Sequence, residues 1–375
     1  MILWANYAFA THFLFILVLI VQSLQDATSM SMTSLPRHGM NRRQAVQQST
    51  AAIAGSSSLT LSSSFPTSVS AATDAAATPI ETSSTTTTST VLLTDKTPVT
   101  FPLVAFGLQI YDDATAYRLT TTALEVGYRN FFASALTGNV RGFSRAIRDS
   151  QIPRSELFIC GSVVSNRAVG FDAARHVTDR GWHRAMEEFS VGNVDYLDQI
   201  MLDYPGPDCD SIRGQWAAFE DMAAQKLTRT LAVSNFSPSQ LDCILVGPPG
   251  SSSNSNNNKN YQCQVKPVVN QLPYSIAYHS PNVIQDNRER GILVQAWAPL
   301  GGSLGGRFTA SKQAACAAIG KKYGNKSYAQ VALRWIIQTG AAFATQSTKK
   351  EHFQQDLDIF DFELSQEDMA LLSAL

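Results

Sequence analysis

The chain has 375 residues, a formal net charge of −1 and 44% hydrophobic residues, which allows one large or two ordinary domains. No basic run occurs in its larger, C-terminal part, so nothing points to a nucleic-acid partner. Five cysteines (Cys160, Cys209, Cys243, Cys263, Cys316) are scattered without a Cys-x-x-Cys pair; this argues against a metal site and does not indicate a disulfide framework, and an oxidising compartment would leave one thiol unpaired.

The beginning does not read as a folded domain. Residues 13–21, FLFILVLIV, form an apolar run of signal-peptide length, shorter than the ~20 residues of a membrane-spanning helix. Residues 1–25 are therefore expected to be a signal peptide, or an uncleaved anchor that recruits the first twelve residues and would be the only membrane contact. In residues 26–90, Asn41-Arg42-Arg43-Gln44 precedes a mildly apolar stretch and then Ser68-Val69-Ser70-Ala71, with the small-residue spacing of a signal-peptidase site. That order resembles a twin-arginine translocation signal, and behind a first signal peptide it resembles the stacked presequences of thylakoid-lumen proteins. The other reading is a Ser/Thr/Ala linker, too poor in large apolar residues to fold, leading to a secreted or membrane-anchored product. Two sequons, at Asn235 and Asn325, would matter only in the secretory pathway, and the first lies at an expected strand end with no room for a glycan.

From residue 91 the pattern changes. Residues 91–94 and 99–101 can pair as a hairpin across Asp95-Lys96-Thr97-Pro98. Short β-branched runs then predict strands at 103–108, 128–132, 157–160, 199–202, 230–233, 265–270, 292–297 and 342–345. Amphipathic runs between them predict helices at 114–125, 140–149, 173–189, 212–225, 238–245, 283–290, 312–323 and 328–338, with a last helix at 365–375. Asp113 can cap the first helix, Gly127, Gly291, Gly324 and Gly340 stand where helices should stop, and Ser327 with Gln330 has capping-box spacing. Residues 247–264, rich in Ser, Asn and Gly, read as a low-complexity insertion. Alternation of eight strands with eight helices predicts an α/β fold, a (β/α)8 TIM barrel with an N-terminal β-hairpin over residues 91–375. A doubly wound sheet is the alternative, but no Gly-x-Gly-x-x-Gly turn follows an early strand.

Ligand sites in parallel α/β folds lie just past the carboxyl ends of strands. Residues 194–205, VDYLDQIMLDYP, read as a buried strand that stops at Asp203, so Asp203 is either a site carboxylate or a cap for the next turn.

Several fragments then carry a resemblance: Gly127-Tyr128-Arg129, Gly138-Asn139, Glu156-Leu157-Phe158-Ile159, Val194-Asp195-Tyr196-Leu197-Asp198, Val233-Ser234-Asn235-Phe236, Val269-Asn270-Gln271, Ala298-Pro299-Leu300-Gly301, Ala329-Gln330-Val331-Ala332-Leu333-Arg334-Trp335 and Phe360-Asp361-Phe362-Glu363-Leu364-Ser365. Their order resembles that of aldo-keto reductases over nearly all of residues 91–375. The resemblance implies a barrel with a hairpin across its bottom and a nicotinamide cofactor, NADP or NAD, at the carboxyl face.

The family reduces carbonyls with an Asp, a Tyr, a Lys and a His. Carried over by position, these fall on Phe132, Thr137, Ser162 and Asp203, so none of the four is retained. Substitute acids would be Asp203 itself or Tyr111, in the loop after the first barrel strand. The resemblance places Ser234, Asn235 and Gln271 on the nicotinamide carboxamide, Trp297 on the ring, and Pro299, Leu300 and Ser347 along the rest of the cofactor. The family's two phosphate-pairing cations are replaced by Gln346 and His352, with Lys349, Lys350 or His352 as partial substitutes, so weak or altered binding is expected. Three functions follow: a non-catalytic barrel binding a nicotinamide nucleotide or other small ligand, an oxidoreductase with a rearranged proton donor, and an interaction protein with an empty site and an unidentified protein partner.

Overall fold

The computed structural model describes residues 89–93, 98–108, 111–246, 261–302 and 306–375. The expected leader, the twin-arginine stretch, the linker to residue 88, the hairpin turn and residues 247–260 of the insertion lie outside the described residues.

The hairpin is present. Strands β1 (Thr90–Leu93) and β2 (Val99–Pro102) pair antiparallel, with Val91 opposite Phe101. The barrel strands follow as β3 (Val104–Gly107), β4 (Asn130–Ala133), β5 (Phe158–Val164), β6 (Leu197–Asp203), β7 (Thr228–Ser234), β8 (Val269–Pro273), β9 (Leu293–Trp297) and β10 (Ala342–Thr345). They close into one parallel ring in which β10 pairs with β3. Helices α1 (Asp113–Val126), α2 (Val140–Asp149), α3 (Phe171–Ser190), α4 (Cys209–Ala224), α5 (Pro238–Leu245) and α6 (Val283–Arg288) each follow one of the strands β3 to β8. Between β9 and β10 lie two helices, α7 (Ala310–Gly320) and α8 (Tyr328–Gln338); α9 (Lys350–Leu357) follows β10, and α10 (Gln366–Ser373) ends the fold.

The expected count of eight helices therefore concealed a wrong distribution. The segments at 312–323 and 328–338 both precede the last strand, and the helix belonging to that strand, α9, had no sequence signal. Its N-cap is Lys349, which makes no side-chain cap bond, and Phe353 is its only buried apolar residue. The predicted strand at 265–270 also begins late, because the Glu220 carboxylate accepts from the backbone N–H of Gln264 and Val265 at 2.6 and 2.9 Å and ties that segment to α4. Asp112, not Asp113, caps α1 by accepting from Thr115 N; Asp113 instead accepts from Gly142 N at 3.0 Å, where α2 crosses so closely that a Cβ on Gly142 would lie 2.1 Å from Asp113 O. The Ser327/Gln330 capping box is present, and a second one, Ser237/Gln240, opens α5.

Every residue of β6 is buried, as a strand between barrel interior and helix layer requires. Its side chains alternate: Ile200 and Leu202 join the core under the helices, while Met201 faces the barrel interior with Cys160, Ala232 and Val269. The hairpin plugs the lower end of that interior through Leu93, Val99 and Phe101, the last in an edge-to-face contact with Phe158 at 4.9 Å. The upper end is left for chemistry.

Cys209, at the start of α4, and Cys243, in α5, form a disulfide, with Cα atoms 5.1 Å apart. The scattered spacing did not indicate this bond. A separation of 34 residues carries no pairing signal, and only the packing of consecutive barrel helices makes the two neighbours.

Candidate functional site

The alternation that turns Met201 inward also turns Asp203 inward, and register carries the pattern around the ring. Asp203 lies opposite Ser234, Ser234 opposite Gln271, and Pro273 opposite Trp297. Ser162 stands opposite Met201 on the other flank. Asp203, Ser234 and Gln271 thus share one register at the upper end of the interior, with Val164 opposite Asp203 on β5; Ser162 lies one inward step below them and Trp297 one step above.

A directional hydrogen-bond chain links four of the mouth residues. The Trp297 indole N–H, which can only donate, bonds Asn235 Oδ1 at 3.1 Å, and this fixes the Asn235 amide so that its Nδ2 donates to Ser234 Oγ at 2.9 Å. The Ser234 hydroxyl proton is then free to donate to the Asp203 carboxylate. Asp203 is 6% exposed, and no ion pair among the described residues includes it. Burial pushes its carboxyl up to about 6, against the opposing effect of the Ser234 bond.

The backbone at the mouth is strained. Tyr204, Asn235 and Ala298, which directly follow β6, β7 and β9, have φ of 70°, 64° and 51°. Such values are uncommon outside glycine and cost on the order of 1–3 kcal/mol each. Asn235 N nevertheless continues the ladder by donating to Gln271 O at 2.9 Å.

The other flank is closed upon itself. Ser162 Oγ accepts from Ala135 N at 3.1 Å and donates to Ser134 Oγ at 3.2 Å, which also accepts from Leu136 N. These two serines seat the 3-10 turn Ala135–Thr137, and Thr137 Oγ1 lies 2.7 Å from Ser134 O and 2.8 Å from Asn139 Oδ1. Phe132 packs against the interior apolar cluster. Tyr111 is not brought to Asp203: its hydroxyl donates to Gln346 Oε1 at 3.1 Å, just beyond β10. Ser134 was not anticipated from sequence, although its place just after a strand could have flagged it.

Near the start of α9, Ser347 Oγ lies 3.0 Å from His352 Nδ1, Lys350 pairs with Glu125 at 3.2 Å, and no ion pair among the described residues involves Lys349. Below them Asp356 is buried, accepts from Tyr128 OH at 3.4 Å, and is pushed by burial up to about 7. Pro299 is buried and Leu300 half-buried in the loop after β9. A cavity of about 560 Å³ opens between the loops after β7 and β8; it reaches Asn235 and Pro273 but not Asp203, Ser162 or Trp297.

Residues 103–375 match the model of the aldo/keto reductase family. The chain belongs to that family. It is 30% identical over 287 residues to an aldo-keto reductase of Mycolicibacterium vanbaalenii, covering 76% of this chain and 91% of the relative. It is likewise 30% identical over 273 residues to the glyoxal reductase of Bacillus subtilis, covering 72% and 88%. The crystal structure of an aldo/keto reductase from Brucella melitensis superposes with a TM-score of 0.62 at 25% identity, covering 76% of this chain and 98% of that one.

Aldo-keto reductases generally bind NADP(H), so the donor set at the mouth can be tested against that group. A nicotinamide carboxamide needs one acceptor for its NH2 and one donor for its carbonyl. Gln271 Nε2 is committed to Gln295 Oε1 at 2.9 Å, which leaves Gln271 Oε1 to accept, while Asn235 Nδ2 keeps a second proton to donate. The half-buried Trp297 supplies an aromatic face. The set fits the nicotinamide half. Toward a 2′-phosphate the fit is poorer, since Gln346 and His352 already have hydrogen-bond partners and Lys350 an ion-pair partner, which leaves Lys349 among these four.

Proposed function

We propose that this barrel binds a nicotinamide nucleotide at its mouth and does not perform the family's ordinary carbonyl reduction. The observation that carries the reading is the state of the hydroxyls on the Ser162 flank. By position, Phe132, Thr137, Ser162 and Asp203 stand where the family's Asp, Tyr, Lys and His would be, and the Thr137 and Ser162 hydroxyls are engaged in holding the turn after β4. An aliphatic hydroxyl is a far weaker acid than a phenol, and Ser162 stands where the family's Lys would strengthen it. Positioned acid–base groups contribute typically ~10²–10⁴-fold, and that contribution is absent here. Replacement of both members of the expected ion pair, by Phe132 and Ser162, also avoids stranding one buried charge.

When bound, the cofactor would supply a hydride donor or acceptor. Asn235, Gln271 and Trp297 would orient its ring; Ser347 and Lys349 would meet its phosphate end. A second reading, an oxidoreductase whose acid is Asp203, is favoured by the burial that lifts this carboxyl to about 6. The Cys209–Cys243 disulfide supports entry into an oxidising compartment, in keeping with the secretory and plastid-lumen readings of the leader.

Titration of the purified protein with NADPH and NADH, followed by tryptophan fluorescence, tests the proposal. Either nucleotide should quench the emission, Trp297→Ala should weaken binding by roughly 1–3 kcal/mol, and preference for NADPH should be small until Gln346→Lys and His352→Arg are combined. Turnover of a carbonyl panel at about 1 s⁻¹ or more that disappears in Asp203→Asn would favour the second reading. Failure to bind either nucleotide would sink the proposal.

A further inference from the structure

Among the described residues Ser162, Asp203, Ser234, Gln271 and Trp297 of the upper barrel interior, Asp203 alone is ionisable as an acid, and it sits where three features meet. Register sets it directly opposite Ser234, one strand away, a lateral spacing of about 4.8 Å. The donated chain from Trp297 through Asn235 and Ser234 ends on its carboxylate. Among the described residues no ion pair includes it. Its flanks are β5, which contributes the buried thiol of Cys160, and β7, which contributes only the Ser234 hydroxyl; the phenol of Tyr204 follows β6 itself. Burial pushes both Cys160 and Tyr204 up, so both are neutral around pH 7.

We infer that the barrel mouth selects the oxidised, cationic nicotinamide ring over the reduced, neutral one, and that Asp203 makes the distinction. The inference rests on the reading of the mouth as a nicotinamide-nucleotide site, which it deepens. Oxidised and reduced cofactors share the carboxamide, the ribose and every phosphate, so contacts with Asn235, Gln271, Ser347 and Lys349 cannot tell them apart. The ring charge can. An uncompensated carboxylate one strand from Ser234 and Asn235, and two strands from Gln271, attracts a pyridinium and gains nothing from the neutral dihydropyridine. The Trp297 face acts in the same direction, because its π quadrupole favours a cation, and the indole N–H bond to Asn235 fixes the ring in place. Well above pH 6 the carboxylate is charged and selection is at full strength; as pH falls through about 6 the carboxyl takes a proton and the Coulombic part of the selection is lost. Occupancy of the barrel would then follow the oxidised share of the nucleotide pool and its pH together, which suits a protein that reports redox state rather than changing it.

The test uses the full purified chain and four probes, NAD and NADP in oxidised and reduced forms, titrated by calorimetry at pH 7.5 and pH 5. The oxidised form should bind roughly tenfold more tightly than its reduced partner at pH 7.5, the size expected of a partly screened charge pair at an effective dielectric of about 20. The ratio should be the same for the NAD and NADP pairs, because the adenosine halves cancel. It should shrink several-fold at pH 5, and at pH 7.5 in Asp203→Asn, whose melting temperature is measured alongside. The pH series on the unaltered chain decides the matter if that variant does not fold. Equal affinity for both forms at pH 7.5, tighter binding of the reduced form, or a preference unchanged by both pH and Asp203→Asn overturns the inference and leaves nucleotide binding standing. Absence of binding by all four probes removes both.

Discussion

At the lower end of β6, Asp198 is 1% exposed and lies between Arg154 at 2.7 Å and Arg229 at 2.8 Å, with the backbone N–H of Ile159 donating to it at 2.9 Å. At the upper end of the same strand, Asp203 is 6% exposed and has a serine hydroxyl and no cation. The contrast extends to the backbone. Below the barrel, residues with positive φ such as Asn193 and Lys226 follow helix ends, where a left-handed residue ordinarily satisfies the last carbonyls. Above it, Tyr204, Asn235 and Ala298 adopt the same conformation directly after strands, where no helix end requires it. One face is built for stability. The other holds an uncompensated charge and strained turns in place, as sites that bind ligands do.

The largest test of this contrast is at the lower end. Asp198→Ala leaves Arg154 without its buried carboxylate and should destabilise the fold by about 3–5 kcal/mol in chemical denaturation. A loss under ~1 kcal/mol would mean the two ends of β6 do not differ in the way described.

The upper end is fastened covalently instead, since Cys209 opens α4 soon after β6 ends. Cys209→Ser should cost about 2–4 kcal/mol by freeing the unfolded chain between the two cysteines, a separation of 34 residues. Mass spectrometry of the native protein under non-reducing alkylation should find Cys209 and Cys243 protected, and labelling of both would refute the bond.

Asp203 should behave oppositely to Asp198. Its folded carboxyl is raised to about 6, above an unfolded value near 3.8. The fold therefore holds this proton more tightly than the unfolded chain does. That contribution is fully present below about pH 4 and is lost as pH rises through 6. Asp203→Asn should remove this part of the slope and stabilise the protein at pH 8 by about 1–3 kcal/mol. Destabilisation at pH 8 would show that the carboxylate has a partner not accounted for above.

Legibility from sequence divides along the same line. The strand at 342–345 and the helices at 140–149, 238–245 and 328–338 were readable to the residue, because apolar period and caps are local properties. Asp203 was readable as a strand-end carboxylate. Its bond to Ser234 was not, nor were the Trp297–Asn235 bond, the Ser134–Ser162 seat and the Cys209–Cys243 link, since each depends on which strands and helices become neighbours. Tyr111 is a further case: its hydroxyl donates to Gln346 because β10 pairs with β3, and that neighbour relation is not legible in the sequence. The helix α9 was lost because its one buried phenylalanine and a lysine cap carry too little local signal.

The smallest expected effect separates the two faces most cleanly. Ala298 and Lys226 have φ of 51° and 60°, so glycine should relieve comparable strain at each, offset in part by the extra entropy of the unfolded chain. Ala298→Gly and Lys226→Gly should each change stability by no more than about 1 kcal/mol, and in the same direction. Their effects on the mouth should differ. Lys226 is exposed below the barrel, following α4, whereas Ala298 directly follows Trp297, whose N–H holds Asn235. Loosening the backbone at Ala298 should weaken that bond, shift the Trp297 emission and lower nucleotide affinity a few-fold, while Lys226→Gly leaves both unchanged. If the two variants prove alike in emission and binding, the strain above the barrel is only a property of its turns, and the positioning of Trp297 must come from the packing around its ring.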